Sequence, residues 1–158
     1  MVKSSEVFST NIDLSDVNLN VKSFYKVVKA KADDLGYGFF EKRQTSKPKK
    51  YGDEIEFEFH MMKDYDEFCM GEIKVDGVFK NLKRSKTKDF GDVKISIKAA
   101  IILDYDNKWG KNSFNKFLFK IYTAVKKEEF KNKYTTPLWK DTSEIYNTIK
   151  ESFGLVVS

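Results

Sequence analysis

The longest alternation in the chain runs from residue 92 to residue 105. Val93, Ile95, Ile97, Ala99, Ile101, Leu103 and Tyr105 share one parity, while Asp92, Lys94, Ser96 and Lys98 hold the other. A period of two is the geometry of a strand with one face on a core and one in water; an α-helix would scatter these side chains around its axis. Residues 54–62 repeat the pattern, with Ile55, Phe57, Phe59 and Met61 opposed to Glu54, Glu56, Glu58 and His60. Residues 67–80 are apolar at Phe68 and Met70, then at Ile73, Val75 and Phe79. A change of parity inside one strand indicates a bulge, expected at Gly71. The aromatic stretch 37–43 precedes them as a shorter strand. Consecutive alternating segments joined by short loops point to an antiparallel meander with one packed face.

Helical spacing brackets this sheet. Val21, Phe24, Tyr25, Val28, Ala32 and Leu35 form an apolar stripe, with Asn20 placed to cap its start and Gly36 its end. Phe114, Phe117, Leu118, Ile121, Tyr122 and Val125 predict a second helix, capped by Asn112 or Ser113. Thr136-Pro137 opens a third, whose inner face is expected to carry Trp139, Thr142, Tyr146, Ile149 and Phe153 before Gly154 stops it. Residues 1–19 are either a flexible arm or an extra edge strand; Phe8, Thr10, Ile12 and Leu14 share a parity, and LSDVNLN reads as a turn. The expected fold class is α+β in one domain, residues 1–158. It is a single antiparallel meander of 4–5 strands with helices on one face, in the order (β)αββββαα.

Composition bounds function. The 158 residues are 41% hydrophobic and 34% charged, the balance of a globular chain. A lone cysteine, Cys69, excludes an internal disulfide framework. The stretch MVKSSEVFST has no signal-peptide core, and no apolar run reaches the length of a membrane span. The location expected is cytoplasmic. The net charge is +5, but Arg43 and Arg84 are the only arginines among 29 basic residues. Lysine supplies charge without arginine's bidentate geometry, so an anionic partner, nucleic acid included, would be met without sequence preference.

In a meander, alternate loops share one end of the sheet. The loops around 42–50 and 80–88 therefore gather Lys47, Lys49, Lys50, Lys83, Arg84, Lys86 and Lys88, with Lys42, Arg43 and Lys80 on their flanks. These are the candidate residues for binding an anionic partner. The other end collects Asp33, Asp34 and two DYD triplets, whose carboxylates Asp64, Asp66, Asp104 and Asp106 are the candidate metal ligands. Their spacing departs from a calcium loop: Lys108 stands at its fifth position and Asn115 where the bidentate glutamate belongs. Strand-end turns account for the triplets equally well. No phosphate-binding glycine loop, GxSxG or HExxH motif occurs, and no cofactor is implied. One His and one Cys make no zinc site; a turn at 63–66 would set His60 opposite Cys69, a pairing that lacks an orienting third residue or oxyanion hole and is read as incidental, so no catalytic residue is expected.

The stretch LDYDNKWGKNSFNKFLFKIY, with Asp104-Tyr105-Asp106, Trp109, Phe117-Leu118 and Tyr122, resembles the strand-to-helix junction of small uncharacterised archaeal α+β proteins. That resemblance implies a cytosolic archaeal protein and transfers no activity. With residues 6–14 as a strand, the element order is also similar to START-like helix-grip domains, which often hold an apolar ligand between sheet and helix. The function expected is a non-enzymatic binding or adaptor module acting through the basic loops. The alternatives are a carrier of a small apolar ligand and an enzyme of unknown class.

Overall fold

The computed structural model describes residues 3–50, 52–84, 89–103 and 127–154. Its elements are β1 (Lys3–Leu19), α1 (Val21–Asp34), β2 (Gly38–Lys49), β3 (Gly52–Asp64), β4 (Cys69–Arg84), β5 (Asp89–Leu103), the short α2 (Lys127–Phe130), a π-helical turn (Lys131–Thr135) and α3 (Thr136–Ser152). The strands make one open antiparallel sheet in the order β1-β5-β4-β3-β2. The fold is therefore the expected α+β meander, and residues 3–19 are an edge strand paired to β5. The helix expected at 112–125 lies outside the described residues.

Alternation becomes burial. Ile55, Phe57, Phe59 and Met61 of β3 and Val93, Ile95, Ile97 and Ala99 of β5 face α1 and α3, nearly all fully buried. The core is ring against ring: Phe24 lies 5.3 Å from Phe57 and 5.4 Å from Phe79, and Phe57 stacks on Phe79 at 5.3 Å. Helix α1 begins where Asn20 accepts a hydrogen bond from the Ser23 backbone, and ends at Gly36 with φ 86°. It runs away from the β1–β5 end of the strands, and α3 returns, its last turn closing with Phe153 stacked on Phe24 at 5.6 Å.

Four expectations are corrected. First, no bulge falls at Gly71: the β3–β4 register runs unbroken from Asp64↔Met70 to Ile55↔Phe79. Cys69, Gly71, Ile73 and Val75 all point inward, because Phe68 belongs to the turn and Met70 to the wet face. Gly71 instead leaves room for the Tyr65 ring, which a Cβ would meet at 2.9 Å. The bulges of β4 are opposite Asp53/Ile55 and at Lys80/Lys83. Second, residues 15–19 continue β1 rather than turning; a shift between Leu14 and Val17 absorbs Asp16 at φ 53°. Third, β2 runs on to Lys49 through Pro48, which an edge strand tolerates because half its N–H groups need no partner. Fourth, α3 buries Leu138, Thr142, Ile145 and Ile149, and leaves Trp139 53% exposed. Thr142, Ile149 and Phe153 are buried as expected, and Leu138 and Ile145 take the inner places expected of Trp139 and Tyr146.

Candidate functional site

One end of the sheet presents, across its width, the ends of β1, β5, β4, β3 and β2. Lys49 pairs with Gly52 across the β2–β3 turn, and Arg84 with Asp89 across the β4–β5 turn. The first of these turns is in direct contact with the β4 bulge. Gly52, at φ 141°, lies so close to the β4 bulge that a Cβ would sit 2.6 Å from the Asn81 carbonyl carbon and 2.7 Å from the Leu82 oxygen. Only glycine permits this approach. Lys47, Lys49 and Lys50 thus stand beside Lys83, all exposed. Among the described residues neither Lys47 nor Lys83 takes an ion pair. Arg84 closes β4; Lys86 and Lys88 lie outside the described residues.

This end is not of one sign, as the loops read alone suggested. The register sets Glu54 opposite Lys47, Asp53 opposite Pro48 and Asp92 opposite Lys80. Lys49 approaches Glu54 at 4.0 Å and Arg43 approaches Glu56 at 3.4 Å. Carboxylates from the strand starts therefore sit among the lysines of the turns. Two bulges flank β5 here. Asp16 and Asn81 both adopt left-handed backbone, φ 53° and 54°, and Asp92 ties them together. Its carboxylate accepts from the Asp16 backbone N–H (3.0 Å) and from the Asn81 side-chain amide (2.9 Å), which hold it below the usual carboxyl range.

At the opposite end the polar groups are used internally. Asp66 Oδ1 accepts from the backbone N–H of Phe68 and of Cys69, both at 2.8 Å. Its Oδ2 accepts from the Tyr134 hydroxyl and lies 3.5 Å from Lys133 Nζ. Burial pushes the Asp66 carboxyl up, but the Tyr134 hydroxyl, the two backbone donors and Lys133 outweigh it and hold the group below its ordinary value. Tyr37 donates to Asp141 of α3 at 2.9 Å and lies 3.1 Å from the Tyr65 hydroxyl. Burial raises both phenols, Tyr65 to about 12 and Tyr37 further, the Tyr65 hydrogen bond adding to the Tyr37 shift. Lys63 Nζ donates to the Leu35 carbonyl at 3.0 Å and sits 5.4 Å over the Tyr37 ring. The π-helical turn delivers Tyr134 to this cluster, 5.8 Å from the Tyr65 ring. The β3–β4 turn, the end of α1 and the start of α3 are thereby fastened to one another.

The candidate metal ligands are divided by this network. Asp66 is committed to it, Asp64 is exposed at the strand end, and Asp104 and Asp106 lie outside the described residues. Among the described residues no three His, Cys, Asp or Glu side chains cluster as metal ligands would. The His60–Cys69 couple does not form. The hairpin pairs His60 with Lys74, and the two side chains point to opposite faces. His60 hydrogen-bonds Glu58 at 2.9 Å on the wet face, while Cys69 is buried and its thiol raised to about 12, by desolvation first and Asp66 second. A thiol so held is a poor nucleophile.

Surface concavities flank the packed core. The largest described, about 410 Å³, lies over Asp13, Asp76, Lys94 and Ser96 on the wet face of the sheet. Another of about 260 Å³ lies between the first turn of α1 and the last of α3, and one of about 300 Å³ beside Lys83 and Phe90. No helix among the described residues is long and apolar enough to cross a membrane. Compared with known proteins, the chain matches no family model, and no curated protein is significantly similar to it.

Proposed function

We propose that this chain is a cytoplasmic, non-enzymatic binding module that contacts an anionic macromolecule through the lysine-bearing end of its sheet. The observation that carries the reading is the contact between the β2–β3 turn and the β4 bulge. Gly52 seated on the Asn81–Leu82 backbone brings the β2–β3 turn, which follows Lys47 and Lys49, against the β4 bulge next to Lys83. Exposed ammonium groups on paired strand ends suit phosphates or carboxylates spaced along a polymer. They offer no fork for a base edge, so a nucleic-acid partner is bound without regard to sequence. The interspersed Asp53, Glu54 and Asp92 lower the local potential and keep affinity modest, in the range of about 10⁻⁴–10⁻⁶ M typical of non-specific binding.

Fluorescence anisotropy on duplexes of fixed and scrambled sequence tests this. With about four phosphates neutralised, log K is expected to fall with log salt at a slope of about −3.6, equally for both duplexes. Replacing Lys47, Lys49 and Lys83 by Glu is expected to remove the binding. No binding to duplex or single-stranded nucleic acid, heparin or polyglutamate at low salt would end the proposal.

A further inference from the structure

The two edges of the sheet are built differently. On β2, Lys42, Arg43, Lys47 and Lys49 together with Pro48 guard the edge, as natural sheets do against pairing with another chain. On β1 the stretch Phe8–Leu14 (FSTNIDL) has no proline and a single charge, Asp13. It runs in unbroken register with β5, from Phe8↔Ala99 to Leu14↔Val93, between shifts at Glu6/Phe8 and Leu14/Val17. Its other side pairs with no strand among the described residues. An aromatic group flanks the same edge: Phe8 lies 6.2 Å from the exposed Trp139 and 6.3 Å from Tyr146.

We infer that this stretch is the interface of a homodimer, in which β1 pairs antiparallel with β1 of a second copy about a two-fold axis through Asn11. The complementarity of the stretch with itself selects this partner. Centring on Asn11 pairs the whole bulge-free window and keeps every face in place. Phe8 meets Leu14 and Thr10 meets Ile12 on the inner side; Ser9 meets Asp13 and Asn11 meets itself on the outer side. A shift by one residue would set apolar against polar. Within this window no like charges oppose one another; beyond the flanking shifts the same register sets Glu6 against Asp16. Asp13, beside Lys94 in its own sheet, comes into the same row as Lys98 of the other copy, two strands away with Ser9 between them. The β1 ladder groups that face away from β5 find partners, and the two five-stranded sheets become one of ten strands with Phe8 and Trp139 beside the seam.

Sedimentation of the full chain from about 1 µM to about 1 mM spans the affinities at issue. The wild-type chain is expected to pass from monomer to dimer within that range. Asn11→Lys and Asn11→Asp each place like charges face to face at the axis and are expected to weaken self-association at least about tenfold. A one-to-one mixture of the two variants is expected to restore the dimer as a heterodimer. That rescue separates interface loss from misfolding, which would leave the mixture dissociated. A wild-type chain that stays monomeric throughout, variants that dimerise as well as wild type, or a mixture without rescue would each overturn the inference.

Discussion

The two ends of the sheet differ in what their polar groups are doing. At the end that holds the β3–β4 turn, Asp66 accepts from two backbone donors and a tyrosine, and Tyr37 links Tyr65 to Asp141. At the lysine end the strand ends are held by Gly52 against Asn81–Leu82 and by Asp92 bridging two bulges. Among the described residues there, Lys47 and Lys83 take no ion pair. Carboxylates spent on holding three elements together are poorly placed to serve a ligand, whereas cations on a pre-formed support lose little by meeting one. Charge counting treats the ends alike apart from sign. Hydrogen bonding separates them.

Substitutions scale that difference, beneath a ceiling set by the core they share. Phe57→Ala empties the centre of the Phe24–Phe57–Phe79 group and is expected to cost about 3–5 kcal/mol in denaturant unfolding. Asp66→Ala leaves the Tyr134 hydroxyl and the Phe68 and Cys69 N–H groups without their acceptor, and is expected to cost about 2–3 kcal/mol. A loss below about 0.5 kcal/mol would show that the network is ornamental and break the contrast. Lys47, Lys49 and Lys83 changed together to Glu are expected to move stability by less than about 0.5 kcal/mol, since exposed charges contribute little.

The titrations sharpen the comparison. The folded Asp66 carboxyl lies below its unfolded value, so its contribution is present above about pH 4 and fades as pH falls through the folded value. The stability gap between wild type and Asp66→Asn is therefore expected to close in acid. Tyr65 is raised to about 12, so its contribution is whole below about pH 10 and is lost as pH rises toward 12. Cys69, also raised to about 12, is expected to resist alkylation at pH 8 until the chain unfolds. Rapid labelling of the native protein would show the β3–β4 turn to be loose.

The strands were legible because alternation is local and both its faces are written in adjacent residues. The charged network was not, because it joins Tyr37, Tyr65, Asp66, Tyr134 and Asp141, with Tyr37 and Asp141 104 residues apart. Single misleading residues caused the smaller errors. Met70 looked like core where Cys69 is, and Trp139 looked like core where Leu138 is. The lysine turns were rightly placed at one end, since connectivity dictates it. Their interleaving with Asp53, Glu54 and Asp92 needed the strand register, which loop composition does not contain.

The proposed binding at the lysine end is most directly tested by backbone amide chemical shifts during titration with a short duplex at low salt. The shifts are expected at Lys47–Lys50, Gly52, Lys80–Lys83 and Asp89–Asp92, with Tyr37, Asp66, Cys69 and Tyr134 unmoved. Shifts centred on the tyrosine–aspartate end, or none at saturating duplex, would contradict the assignment of function to the lysine end.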